Sequence, residues 1–116
     1  MRIAAVFALV IAFVAPAAAH HGWGSYDAEN PVTLESTIDT AVFENPHVTI
    51  TLTVVVDGKL WTVTLAPPSR MNNRGALAEI VAVGKTVKAH GYPKRDVTPE
   101  IRAEWIEIDG QHFELR

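Results

Sequence analysis

Three features of the sequence predict an all-β fold. Runs of β-branched residues alternate with period two, tight-turn pairs separate them, and only one short stretch has helical character. A first strand is expected over residues 32–43. It is interrupted by Glu44-Asn45-Pro46-His47, where Asn-Pro favours a turn and the proline cannot donate to a ladder. Over 48–56 the alternation is clear, with Val48, Ile50, Leu52, Val54 and Val56 on one face and Thr49, Thr51 and Thr53 on the other. Asp57-Gly58 is a hairpin signal, and a third strand over 60–65 sets Trp61, Val63 and Leu65 on one side before Pro67-Pro68 ends it.

The helical stretch comes next. Ser69 is an N-cap candidate, residues 70–74 suit a short turn of helix closed by Gly75, and 76–81 permits another turn. Gly84-Lys85 leads into a fourth strand over 86–90, and Gly91-Tyr92-Pro93 is expected to open a polar loop reaching about Pro99. A fifth strand over 101–108, the turn Asp109-Gly110 and a short strand over 113–115 complete the chain. Three strands, a short helical link, then two or three strands suit a small Greek-key barrel of the oligonucleotide/oligosaccharide-binding (OB) type, with the link between strands three and four. A six-stranded sandwich is the competing architecture.

Residues 1–19 differ in composition from all that follows. Arg2 is followed by an apolar run over 3–14 and then Ala15-Pro16-Ala17-Ala18-Ala19. A basic start, a short apolar core and an Ala-x-Ala ending are the parts of a secretory signal. A membrane anchor would need about 20 apolar residues, and the absence of cysteine argues against a lipoprotein. The expected organisation is therefore a signal peptide over 1–19, an irregular arm over 20–30 and a barrel over 31–116, in a periplasmic or secreted protein with no membrane anchor after cleavage. Cleavage after Ala19 is favoured, with Ala17 as the alternative.

Without Arg2, nine of the ten basic residues remain against thirteen acidic ones. That balance argues against a nucleic-acid binder, which carries a basic footprint. A domain of this size can hold together by its apolar core without disulfides, and the missing cysteines exclude thiol chemistry and thiolate metal sites. Nor does the chain contain a phosphate loop, a nucleophile elbow or a readable pair of catalytic carboxylates. The sequence asks for no enzyme.

The histidines, His20, His21, His47, His90 and His112, carry the most chemistry. Cleavage after Ala19 makes His20 the first residue, so that its α-amine (reference pKa about 8) and imidazole Nδ1 chelate one metal ion together. A histidine from the folded body then completes a T-shaped nitrogen site, which favours Cu(II) over harder cations. Cleavage after Ala17 places His20 third, where the amine, two backbone amides and its imidazole form a square-planar copper chelate. His47 and His90 are the candidates for the body ligand, because His47 lies in the turn joining strands one and two and His90 at the entry to the loop joining strands four and five, the two loops framing the ligand face of an OB barrel. The plainer reading of each is a turn cap for His47 and a solvent-facing ring for His90, with His112 exposed in the last hairpin. Trp23 and Tyr26 are expected to pin the arm to the barrel rather than line a ligand site. Arg70, Arg74, Lys94, Arg95 and Arg102 are expected to form a solvated surface paired with Asp96, Glu100 and Glu104 rather than an anion site.

The segments HHGWGSYD at 20–27 and ENPHV at 44–48, and the Trp61 strand running into LAPPSRM at 65–71, form a recognisable pattern. With Arg74-Gly75, VGKTV at 83–87 and GYP at 91–93, they resemble domain-of-unknown-function family 6152, a family of small exported bacterial proteins. The resemblance spans essentially the whole chain after the leader. It implies export and a small β-barrel-like domain, and supplies no activity. It also implies that His20, His21 and His47 recur, whereas position 90 is usually another residue; His47 thus becomes the expected body ligand, with His90 the weaker candidate. The functional expectation is copper carriage, delivery or sequestration. The alternative is a non-enzymatic OB-like module binding a peptide, a glycan or an envelope protein partner; a copper-dependent oxidase is a weaker third reading.

Overall fold

The computed structural model describes residues 22–56 and 58–116. Six strands and one short helix follow in order: β1 (Val32–Val42), β2 (Thr49–Val56), β3 (Lys59–Thr64), α1 (Pro68–Asn73), β4 (Thr86–Pro93), β5 (Glu100–Ile108) and β6 (Gln111–Glu114). The strands form one sheet in the order β3-β2-β1-β4-β5-β6, and a further parallel pairing of β3 with β5 closes the first five into a barrel. β6 lies outside the closure, paired only with β5. This is the expected OB-like barrel, with α1 between β3 and β4.

Closure depends on strands that serve two neighbours. The first part of β1 pairs with β4, from Val32 opposite Gly91 to Thr37 opposite Thr86, and its later part pairs with β2 from Ile38 onward. A register shift between Ile38 and Thr40 marks the change; such bulges bend a strand and raise its twist. β5 divides similarly, with Glu100 to Arg102 against β3 and Trp105 to Ile108 against β6.

The alternation read from sequence becomes the barrel interior. Val48, Ile50, Leu52, Val63, Leu65, Val87, Ala89, Ile101, Ile106 and Ile108 are buried in one cluster, while Trp61 is only partly buried against it. The side chains of Val54 and Val56 lie outside the described residues. Met71 of α1 is fully buried in the same core.

Two local expectations are corrected. Ser69 does not cap α1: Pro67 is the N-cap, no side chain caps the helix, and Pro68 takes the first helical position. There its missing N–H costs nothing, and its fixed φ already suits the helix. The C-terminal end follows expectation, since Gly75 N–H bonds to Asn72 O and Ala76 N–H to Met71 O, the paired bonds of a Schellman motif.

The second correction concerns residues 91–93, which continue β4 rather than open a loop. A bulge between His90 and Gly91 keeps the strand in register with β5 across this stretch. Proline is tolerated as the last residue of the strand. Gly91 is required by crowding: a Cβ there would lie 2.1 Å from Arg102 O and 2.8 Å from Ala103 Cα. The glycine that reads locally as a breaker marks the closest approach of two strands. At the β5–β6 turn, Asp109 (φ 52°) and Gly110 (φ 74°) adopt the two positive φ values of a tight type I′ hairpin.

Candidate functional site

The β1–β2 turn is tied down at the end of β3. Val48 N–H bonds to Ala66 O at 2.9 Å and Leu65 N–H to Val48 O at 2.8 Å; the Asn45–Pro46 peptide is cis. These bonds bring the His47 ring to the Leu65 carbonyl, with Nδ1 3.1 Å from the oxygen. A carbonyl only accepts, so Nδ1 donates.

Opposite this turn stands the β4–β5 loop, and a cleft of about 370 Å³ opens between them. Glu44, Asn45 and His47 line it from one loop, Thr49 and Thr64 from the floor, and Lys94, Glu100 and Arg102 from the other side, with Tyr26 of the arm. Two carboxylates face two cations, so the charges of the wall balance. Glu100 and Arg102 alternate along β5 with the buried Ile101 and Ala103, which directs them away from the core.

The arm is docked against this same loop. Residues 23–25 form a 3-10 turn, after which Tyr26 pairs with Lys94 in an isolated bridge. Asp27 N–H bonds to Pro93 O at 2.8 Å, Arg95 N–H to Ser25 O at 3.0 Å, and Arg95 Nε to Gly24 O at 3.1 Å. Tyr26 is 6% exposed and its phenol donates to the Glu100 carboxylate. Burial, then the bond to Glu100 and its negative charge, pushes the Tyr26 pKa up to about 12. The Arg102 guanidinium lies 4.2 Å from the Trp23 ring centre and that of Arg116 4.7 Å from it, while Tyr92 meets Trp23 edge-on at 5.8 Å. Burial lowers the Arg102 pKa from its usual value. The arm is therefore pinned by aromatic packing, as expected, although Tyr26 also lines the cleft.

The histidines separate into two places. His47 lies in the cleft wall. His90 does not line the cleft: it stacks on Trp105 on the outer face of the sheet (ring centres 5.1 Å apart, planes 13° apart), with Nδ1 2.8 Å from Thr33 Oγ1. His112 lies on the other side of Trp105, between Glu107 and Glu114 at 3.1 and 2.7 Å, and those carboxylates raise its pKa. His20 and His21 lie outside the described residues. Among the described residues no three His, Asp or Glu side chains converge to hold a metal ion.

Arg70 and Arg116 lie close enough to Arg102 for their charges to help lower its pKa, after burial. Arg70 and Arg74 bond to the carbonyls of Leu115 and Arg116, which fastens the C-terminal segment to α1. Sequence reasoning missed Glu100, Thr64 and Arg102 as cleft residues. The signal for Glu100 and Arg102 was present in the two-residue period of β5, but it acquires meaning only once β5 closes against β3.

No curated protein and no solved structure matches the chain. The model of a family of unknown function, DUF6152, matches residues 8–100, most of the chain. The protein belongs to domain-of-unknown-function family 6152.

Proposed function

We propose that this is an exported copper-binding protein, used for carriage or sequestration rather than turnover. Removal of residues 1–19 would leave His20 at the N-terminus, binding Cu(II) through its amine and imidazole. His47 supplies the body ligand and His21 an auxiliary one. The observation that carries this reading is the orientation of His47. Its Nδ1–H is donated to a backbone carbonyl, the kind of outer hydrogen bond that orients metal-binding histidines. Nitrogen donors in such a set favour Cu(II). The balanced charge of the cleft wall removes any net repulsion of a cation.

The test is Cu(II) titration of the processed protein, its N-terminus verified by mass spectrometry. His47→Ala should weaken binding by about tenfold or more, equivalent to one lost ligand of about 1.4 kcal/mol. One extra residue ahead of His20 should do the same. Binding that is micromolar or weaker and indifferent to both changes overturns the reading.

A second reading draws on the position of the cleft. It lies between the two loops that OB barrels use for ligands, so the domain would instead take a peptide, a glycan or an envelope protein partner there. That reading predicts that His47→Ala lowers thermal stability equally with and without copper.

A further inference from the structure

β6 lies outside the barrel closure, and among the described residues β5 is its only strand partner. The ladder shows what its other edge presents. Leu115 N–H bonds to Glu104 O at 2.8 Å, so these opposed residues form a hydrogen-bonded pair. Such pairs alternate along an antiparallel ladder. Ile106 with Phe113 and Ile108 with Gln111 are therefore the next bonded pairs, and the backbone N–H and C=O of His112 and Glu114 point away from β5. Among the described residues no backbone bond outside the ladder reaches either of them. Open groups of this kind are a template for another strand. The open edge is short: beyond it Arg70 and Arg74 hold the carbonyls of Leu115 and Arg116, and before it the chain turns back at Asp109-Gly110. Its two residues carry opposite charges. The imidazole of His112 is held between the Glu107 and Glu114 carboxylates, which favour its charged form, and both His112 and Glu114 are exposed.

We infer that β6 is a self-association edge, which takes β6 of a second copy of this chain, antiparallel and about a twofold axis at Phe113. A symmetric contact is isologous, so that residue i meets j and j meets i. With the axis at Phe113, His112 lies opposite Glu114 of the second copy, and Glu114 opposite its His112. Both are hydrogen-bonded pairs, each exchanging its N–H and C=O, so every open backbone group on the edge finds a partner. The same register sets unlike charges opposite each other, the favourable arrangement across strands. Moving the axis to His112 or to Glu114 bonds that residue only to itself and sets like charges together. The edge is its own complement, and this selects a second copy over a foreign strand. The seam is far smaller than the roughly 1,600 Å² of a standard interface, so the dimer is transient and depends on concentration. The inference is independent of copper.

The experiment is sedimentation equilibrium of the purified, metal-free protein, with amide exchange measured over the same concentrations. A monomer–dimer equilibrium is expected, with a Kd on the order of 100 μM for so small a seam. Exchange at the His112 and Glu114 amides should slow as concentration rises, while Phe113, bonded to β5, stays protected throughout. Glu114→Lys and His112→Glu should each weaken association about tenfold, because each sets like charges across the seam. The double variant reverses the pair and should restore association. Glu114→Pro removes an N–H that faces the open edge, where proline is tolerated, and should leave a folded monomer. If that variant fails to fold, the charge reversals and the parent's amide exchange decide the matter. A parent that stays monomeric at about 1 mM overturns the inference. So does a dimer that is indifferent to the single reversals, or one that the double variant does not restore.

Discussion

Replacing Gly91 with alanine puts a methyl group where the opposing strand already is. The added Cβ would lie 2.1 Å from the Arg102 carbonyl oxygen, 2.7 Å from its carbon and 2.8 Å from Ala103 Cα, all backbone atoms. Contacts this short cannot be relieved by rotating a side chain, so β4 and β5 must separate by roughly 1 Å, against the close packing that interiors hold. The pairs flanking the site, Tyr92 with Arg102 and Pro93 with Ile101, lie next to the barrel closure, where Ile101 and Arg102 also face β3. Overpacking of this kind costs about 1–3 kcal/mol, and the rigid backbone partners place Gly91→Ala at about 3 kcal/mol. For a domain of this length that corresponds to a fall in Tm of roughly 12 °C or more. Urea denaturation, with Gly24→Ala as the control, is the assay. Gly24 has nothing within 4 Å of an added Cβ, so its substitution should change stability by less than about 0.5 kcal/mol. A Gly91→Ala protein within about 1 kcal/mol of the parent would show that the two strands are not held at this separation.

Other perturbations test different parts of the molecule. Met71→Ala empties the one buried side chain of α1 and should cost about 2–5 kcal/mol in denaturant titration; a cost below about 1 kcal/mol would mean that the link does not seal the barrel. Tyr26→Phe removes the phenol that donates to Glu100 and should cost about 1–2 kcal/mol, with faster exchange at the Asp27 amide. Absorbance titration of phenolate should place Tyr26 near 12 and Tyr92 also above its ordinary value of 10, the latter through its bond to Glu104; stability from these raised values is complete below 10 and declines as pH rises through them. His112, whose folded pKa is raised by Glu114 and Glu107, stabilises the β5–β6 hairpin below its unfolded value of about 6.5 and loses that contribution as pH rises through the folded value. Tm should therefore fall slightly between about pH 6 and 8 in the parent and stay flat in His112→Gln; parallel profiles would remove His112 as the cause.

The elements were legible because their causes are local. Alternation at 48–52 identified the buried face of β2, and Asp109-Gly110 identified a hairpin, since each depends on a few adjacent residues. Apart from Ser69, whose error lies in its own immediate neighbours, the errors arose where a distant strand overrode the local signal. Gly91 reads as a breaker until Arg102 is seen against it, and Ser69 reads as a cap until Pro67-Pro68 is seen to start the helix without one. His90 reads as the end of its strand, at the entry to the ligand loop, until β4 is found to run on to Pro93, which leaves its ring on Trp105 outside the barrel.

By itself the sequence determined the class of the fold, the order of its strands, the faces that would be buried and the family to which the chain belongs. Period-two patterning and turn chemistry act over a handful of residues and need no partner to be read. Only the tertiary structure decided that residues 44–47, the arm and Glu100 to Arg102 border one cleft, and that His47 rather than His90 lines it. Those placements follow from β3 pairing with β5 and from the arm bonding to the β4–β5 loop. Both join backbone groups far apart in the chain, and their hydrogen-bond partners are not encoded in any local run of residues.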